Sequence, residues 1–325
     1  MENIIKKFEI IKDVILEMGG TIEEFIPERG CLYVNLSGKT ILIEQQISIT
    51  RQSFISERLT MCKDITDKLL NANELPTPTT ECFYYKTYDK ADSLKQLEKL
   101  TYPIILKNAT GSNSIGMFPN INNKKEANKV LKKQLPIYRS MLAQQMVFGK
   151  EYRILILGDK IIGALEMIHP YIIGDGISSV RKIIKQKQIL TEKKTKFNKE
   201  LAKTLRSQQV NFRTVIPKGK IIYFKNNSSL AEGGETAEVT DTVHKDIKDI
   251  CVKASKVVGR YLVGIDVICK DISKKPTRNN FNILDINSKP DLYIHYNPTH
   301  GNSKNVLKDV IKFLTKISIP TNKHP

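Results

Sequence analysis

Two strand-length apolar runs near the end of the chain constrain its fold most, because each carries a carboxylate where a buried segment should have none. The first is Leu262-Val263-Gly264-Ile265-Asp266-Val267-Ile268; the second is Phe281-Asn282-Ile283-Leu284-Asp285-Ile286-Asn287. Runs this short and this apolar read as strands of an interior sheet. A period of two puts Asp285 and Asn287 on one face of their strand. An ionised carboxylate taken out of water is costly unless positive charge compensates it. The pattern therefore calls either for buried aspartates that accept backbone hydrogen bonds or for a cation shared by Asp266, Asp285 and Asn287. Carboxylate and amide oxygens, with no His or Cys among them, suit a hard ion such as Mg²⁺, which commonly shares its shell with phosphates.

Composition narrows the remaining choices. A chain of 325 residues, 40% hydrophobic and 26% charged, is of a size and balance to fold as two or three subdomains. No apolar run reaches the roughly 18 residues of a bilayer span, so no membrane partner is expected. The opening MENIIKKFEI lacks the long apolar core of a leader. Cys31, Cys62, Cys82, Cys251 and Cys269 are scattered without a CxxC pair, which predicts reduced thiols and a cytoplasmic setting. The net charge of +18 raises the question of nucleic acid. Its densest stretch, Lys182–Arg206, sets nine basic residues against Glu192 and Glu200 with Phe197 as the one aromatic. Base-stacking surfaces interleave aromatics with charge, so this stretch reads as a solvated helical face or a lid over an anionic ligand, in preference to a polynucleotide surface.

Periodicity and turn residues predict a helix over 2–18, a hairpin of Cys31–Leu36 with Thr40–Glu44, and a helix over Cys62–Asn71. Strands follow at Tyr102–Lys107, Met141–Val147, Glu151–Leu157 and Lys160–Ile168, then two helices between Ser178 and Arg206. The last part reads as a strand at Lys220–Phe224, a helix over Val243–Val258, strands Leu262–Cys269 and Phe281–Asn287, and a helix over Ser303–Leu314. Strands come in neighbouring pairs, which predicts an α+β fold and not a doubly wound sheet.

Two further stretches carry chemistry. Strand Tyr102–Lys107 ends in lysine and runs into a loop containing Gly111, Ser112 and Gly116. Such a loop either cradles phosphate oxygens with backbone N–H groups or makes an ordinary hairpin turn; its spacing is neither Walker A nor GxGxxG. Ala143–Arg153 joins two strands through a short turn and sets Glu151 and Arg153 on one strand face, as a site or as a hairpin with exposed charges.

Taken in order, these segments resemble the ATP-grasp superfamily, and in particular the ATP-grasp region of cyanophycin synthetases and of bifunctional glutathione-synthesising enzymes. The likeness runs through Lys63-Asp-Ile-Thr-Asp-Lys-Leu-Leu70, Leu75–Pro78, Tyr102–Lys107, Gly149–Arg153 and Gly174–Ser179. It continues through Asn227–Gly234, Val239–His244, Gly264-Ile-Asp266 and Asp285-Ile-Asn287 to Pro290 and His295. The resemblance implies two α/β subdomains gripping ATP. On this pattern residues 1–58 form a small N-terminal cap and 59–142 the small subdomain with the Gly-rich loop. Residues 143–325 form the C-terminal subdomain, with a Lys-rich lid at about 174–215. It implies ATP contacts from Lys63, Lys107, Gly111, Ser112, Gly116, Gln144, Gln145, Met146, Val147 and Glu151. It implies Mg²⁺, or Mn²⁺ in its stead, on Asp266, Asp285 and Asn287. Arg153 and Lys225 would stabilise the moving phosphoryl group or a substrate carboxylate, and Glu166, Asn227, Gly233, Gly234 and His295 would meet substrate.

The implied activity is ATP-dependent carboxylate–amine ligation through an acyl phosphate, releasing ADP and phosphate. Its substrates would be amino acids or short peptides, and its assembly a dimer or tetramer. Two alternatives stay open: a ligase acting on a protein or peptide tail, and an inactive ATP-binding relative. The chain departs from the family pattern at Asp285, where Glu is usual, and at Gln144, where a carboxylate is usual. Met167 and Tyr293 stand where arginines are frequent. These two lost cations argue against cyanophycin as product, and the second, Mur-ligase-like half of cyanophycin synthetase is not expected here.

Overall fold

Every pairing between named strands in the computed structural model is antiparallel, as paired strands in the sequence predict. The structure describes residues 2–26, 31–44, 47–49, 54–111, 115–191, 195, 197–225 and 228–317. Helix α1 (Glu2–Glu17) precedes a meander of β1 (Thr21–Ile26), β2 (Cys31–Leu36) and β3 (Lys39–Glu44). Helices α2 (Phe54–Met61) and α3 (Lys63–Ala72) lead into a four-stranded sheet of order β4-β7-β5-β6. Its strands are β4 (Thr80–Tyr84), β5 (Ile104–Asn108), β6 (Met117–Ile121) and β7 (Ser140–Gln145), with α4 (Lys90–Glu98) and α5 (Lys124–Tyr138) between them.

The larger sheet has order β12-β9-β8-β13-β14. It is built from β8 (Lys150–Leu157), β9 (Lys160–Ile168), β12 (Glu235–Glu238), β13 (Leu262–Cys269) and β14 (Phe281–Asn287). Between β9 and β12 a smaller unit pairs β10 (Tyr171–Ile173) with β11 (Ile221–Tyr223) around α6 (Val180–Thr191) and α7 (Lys199–Arg206). It has its own small core of Ile172, Val180, Ile184, Leu201, Leu205 and Ile222. Helices α8 (Lys245–Val257) and α9 (Val306–Ile317) complete the described chain, and no described helix is long and apolar enough to cross a membrane.

Strand alternation decides what each face of the larger sheet does. Tyr152, Ile154 and Ile156 of β8 and Val263, Ile265 and Val267 of β13 pack under α8 with Ile247, Cys251 and Ala254. The opposite face is apolar at one end only. There Leu155, Leu157 and Leu262 meet Ile11, Val14 and Ile15 of α1 and Val306, Leu307, Val310 and Ile311 of α9. Burying such a side chain contributes about 1.5–3 kcal/mol, so the sheet is clamped from both sides there. At the other end the same face presents Glu151, Arg153 and Asp266 in place of leucines.

Several elements lie beyond what periodicity predicts. Helix α5 carries only Ala127, Leu131 and Leu135 as buried residues and contains Pro136, so its apolar stripe is one residue wide in a lysine-rich background. Helices α2 and α4 and strands β1, β4, β6, β10 and β12 were likewise not predicted; they are short, and most are half-polar.

Candidate active site

The two carboxylate-bearing strands are neighbours. Register places Asp266 opposite Asp285, Gly264 opposite Asn287, and, on the other flank, Arg153 opposite Asp266; opposed residues share a face. Arg153 donates from Nε to Asp266 Oδ1 at 2.7 Å and from Nη2 to Oδ2 at 2.9 Å, the two-point geometry that makes guanidinium–carboxylate pairs strong. The Asn287 amide donates to Asp266 Oδ2 at 3.0 Å. Lys63, the first residue of α3, forms an ion pair with Asp285 Oδ2. The Asp266 charge raises the Arg153 pKa against the opposing effect of burial. Gly264 makes room for this: a Cβ there would lie 2.9 Å from the Pro290 Cβ.

A bulge in β14 sets this face. Val267 pairs with Ile283 and Asp266 with Asp285, so Leu284 has no partner in the ladder. The extra residue reverses the alternation. Ile283 and Ile286 therefore both enter the core under α8, while Asp285 and Asn287 turn to the site. Were Leu284 to pair as an ordinary ladder residue, Ile283 and Asp285 would share one side.

The facing wall comes from the four-stranded sheet. Phe83, Leu106, Met141 and Ala143 pack against α4 and α5 through Leu97, Leu131 and Leu135. The alternate residues Thr80, Leu142, Gln144 and Lys107 look the other way. Lys107 Nζ is buried, donating to Gln144 Oε1 at 2.8 Å and reaching the Leu284 carbonyl of the other sheet at 3.4 Å. Burial lowers its pKa, and the nearby Asp285 charge opposes that shift. Lys63, Asp67, Lys107, Gln144, Leu284 and Asp285 all line one small cleft between the two sheets. Among the described residues no three His, Cys, Asp or Glu side chains cluster as a metal group. The candidate set is two carboxylates and one amide.

The other residues singled out by sequence divide. Glu151 shares the face of Arg153 and receives Ser228 Oγ at 2.5 Å, with His169 Nε2 3.2 Å away. Burial raises its pKa, but the hydrogen bonds from His169 and Ser228, with the charges of His169 and Arg153, outweigh this and leave it lowered. Gly234, whose Cβ would strike the Ser228 carbonyl at 2.6 Å, and Gly233 at φ +103° close the turn that carries Ser228. Gly116, at φ +77°, ends the loop after β5, and a Cβ on Gly111 would lie 2.8 Å from the Ile115 carbonyl. Backbone N–H groups of Gln145 and Met146 bond to Thr79 and Pro103 at 2.9 and 3.0 Å, leading to Val147 at the start of the turn into β8.

Gln144 itself is buried, both ends of its amide engaged by Lys107 and Thr80. Lys225 is buried and bonds Glu232 at 2.8 Å. Glu166 pairs in register with the core residue Tyr152, on the face opposite Arg153, and bonds Lys150 at 3.0 Å. His295 is fully buried against Gly163 with neither ring nitrogen hydrogen-bonded among the described residues, and burial lowers its pKa to about 4. Ser112 and Asn227 lie outside the described residues. Asp67, Thr80, His169, Ser228 and the Leu284 bulge escaped the sequence reading. For Asp67 a signal existed, since it stands one helical turn after Lys63 on α3.

Comparison with known proteins accords with this geometry. Residues 62–175 match the model of the RimK-like ATP-grasp domain. The chain is 25% identical over 308 residues to the bifunctional glutathione biosynthesis protein of Clostridium perfringens, covering 90% of this chain and 39% of that protein. It is 26% identical over 295 residues to cyanophycin synthetase of a Synechocystis species, covering 86% of this chain and 33% of that protein. The chain thus spans well under half the length of these curated relatives. The crystal structure of a bifunctional glutathione synthetase from Pasteurella multocida superposes with a TM-score of 0.71 at 18% identity, over 96% of this chain and 43% of that one.

Proposed function

We propose, proceeding from an ATP-grasp fold with a RimK-like ATP-grasp stretch at residues 62–175, that this chain is an ADP-forming carboxylate–amine ligase acting on amino acids or short peptides. One observation carries the reading: across the cleft Lys63 pairs with Asp285 and Lys107 reaches the Leu284 carbonyl, on the strand whose Asp285 and Asn287 adjoin Asp266. We keep the division into a cap (1–58), a small subdomain (59–142) and a C-terminal subdomain with a lid insertion (about 174–215) as part of this proposal.

In this reading ATP lies between the two sheets. Lys107 and Lys63 neutralise its phosphates, the backbone from Gly111 to Gly116 covers them, the segment Gln145–Val147 borders the adenine, and Glu151 takes the ribose hydroxyls. The oxygens of Asp266, Asp285 and Asn287 suit a hard divalent cation, since they adjoin one another and both carboxylates already attract positive side chains. When bound there, Mg²⁺ supplies charge neutralisation at the phosphates. A substrate carboxylate oxygen attacks the γ-phosphorus, the bond to the ADP oxygen breaks, and an acyl phosphate forms. The amine nitrogen then attacks the acyl carbon, phosphate leaves with the C–O bond electrons, and the nitrogen loses a proton. Such a transfer needs in-line placement and charge compensation more than covalent help from protein. Arg153 is placed to follow the charge that develops, once the nucleotide draws it from Asp266.

The test is phosphate release from ATP with mixtures of the twenty amino acids and common dipeptides, followed by product mass. ADP formation that requires both Mg²⁺ and an amino-acid mixture is the expected result. AMP formation, or no nucleotide turnover with any mixture, overturns the reading.

A further inference from the structure

Four side chains from four elements form one polarised hydrogen-bond chain behind the cleft. Lys107 donates to Gln144 Oε1 at 2.8 Å, and Gln144 Nε2 donates to Thr80 Oγ1 at 2.9 Å. Thr80 Oγ1 stands 3.1 Å from Asp67 Oδ1. The single Thr80 hydrogen also has the Pro78 carbonyl within 2.9 Å, but a carboxylate is the stronger acceptor. Asp67 in turn is fixed by Asn71, whose amide donates to its Oδ2 at 3.1 Å and to its carbonyl at 2.9 Å. Each member donates to the next, from ammonium to carboxylate, an order in which successive bonds strengthen one another.

The placement follows from the fold. Thr80 and Gln144 are register partners on β4 and β7, and Lys107 on β5 lies diagonal to Gln144 on the same face. Helix α3 lies over that face with Lys63 and Asp67 one turn apart, so one helix sends a cation to Asp285 and an anion to the Lys107 chain. Asp67 and Gln144 are buried and Thr80 is half-buried. A carboxylate is held in such a place only where something charged answers it, and burial does raise the Asp67 pKa while Thr80, Lys107 and Asn71 oppose the rise.

We infer that Asp67 is the positioning residue for Lys107, acting through Thr80 and Gln144 to aim the ammonium into the cleft. Asp67 touches no reacting atom in this scheme. Its role rests on the nucleotide-site reading above. A lysine whose four-carbon stem is otherwise free would sample several rotamers. The Gln144 oxygen restricts it to one, and the Thr80–Asp67 pair restricts Gln144 to the amide orientation that offers that oxygen.

The experiment measures Mg·ATP and adenosine binding by calorimetry on the full chain for wild type, Asp67→Asn, Thr80→Val and Thr80→Ser. Adenosine lacks the phosphates that Lys107 would meet, so it reports on the fold and the rest of the site. Asp67→Asn and Thr80→Val should each weaken ATP binding by about 10- to 100-fold, the loss typical of a misplaced binding group. Adenosine binding should stay within about twofold in both, and Thr80→Ser should bind ATP as wild type does. If wild type binds adenosine and ATP but both disrupting variants bind ATP equally well, the inference fails while the nucleotide site stands. If either variant folds and loses ATP and adenosine in equal proportion, the chain is general scaffolding and the inference also fails. Wild type that binds no ATP overturns the nucleotide reading itself. Should Asp67→Asn not fold, Thr80→Val carries the test alone.

Discussion

Arg153 and Asp266 stand opposite each other on β8 and β13, joined by two hydrogen bonds of 2.7 and 2.9 Å. Lys63 and Asp285 make a second ion pair one strand further on. Both proposed metal carboxylates thus have a protein cation at hand, and the fold need not wait for a metal to balance their charge. Chelation should therefore abolish nucleotide turnover yet leave the thermal midpoint of the nucleotide-free protein within about 2 °C, roughly what a 1 kcal/mol change produces in a protein of this size. Melting curves with and without a chelator check this; a large drop on chelation would make the ion structural. Arg153→Met should cut turnover by about 10²–10³, the loss typical for removing one charge-stabilising donor.

Acid should weaken the protein through His295. Its folded-state pKa is about 4 against 6.5 for the free side chain, so between those values the unfolded chain binds a proton that the folded chain refuses. Stability is then complete above about pH 6.5 and falls as pH drops toward 4, by at most about 3 kcal/mol from this group. Urea midpoints at pH 7 and pH 5 measure the slope, and His295→Gln should flatten it.

Gly264→Ala tests the close approach of the 290 loop. The new methyl would sit 2.9 Å from the Pro290 Cβ and 3.7 Å from the Arg153 Cδ. Overpacking of this sort costs about 1–3 kcal/mol. Because the strain falls beside Arg153 and Asn287, turnover should drop more than stability does, as steady-state rates and denaturant midpoints on one preparation would reveal.

The small unit inserted between β9 and β12 is tied down at a definable point. Lys187 on α6 bonds Glu235 Oε1 at 2.6 Å and the Tyr171 carbonyl at 2.8 Å, while His300 approaches Glu235 Oε2 at 3.0 Å. Lys187→Met and Glu235→Gln should each speed hydrogen exchange in residues 180–206 and leave the cores under α8 and α5 unaffected. The double variant should show a coupling of about 0.5–3 kcal/mol, as contacting residues do. Strictly additive effects would mean that the contact does not restrain the unit.

How much of this was legible beforehand depended on how strongly each segment was patterned. Strands β13 and β14 were read to the residue, because mostly apolar runs of eight and seven residues leave little choice. Asp266, Asp285 and Asn287 followed, since a carboxylate in such a run is conspicuous. Helix α5 was not, because three buried residues among lysines and a proline make a weak period. Glu166 was assigned to the substrate side by resemblance, yet its strand position turns it away from Arg153. Gln144 was read by resemblance as an ATP contact, and its amide bonds Lys107 and Thr80. Neither could be seen without strand register, which depends on residues far apart in the chain.

Leu284 gives β14 two phases joined in mid-strand: the stretch before it keeps one parity of the pleat and the stretch after it the other. Residues on the N-terminal side answer to packing alone, while Asp285 and Asn287 answer to chemistry. Were Leu284 instead to take a place in the ladder, every side chain would stay intact and yet both oxygen donors would swing inward, with Ile286 turned to the site in their stead. Composition, hydropathy and length would hardly register the change. The proposed site on this edge strand thus rests on one residue standing outside the ladder; deleting Leu284 would close the bulge and leave Asp285 and Asn287 facing as they do.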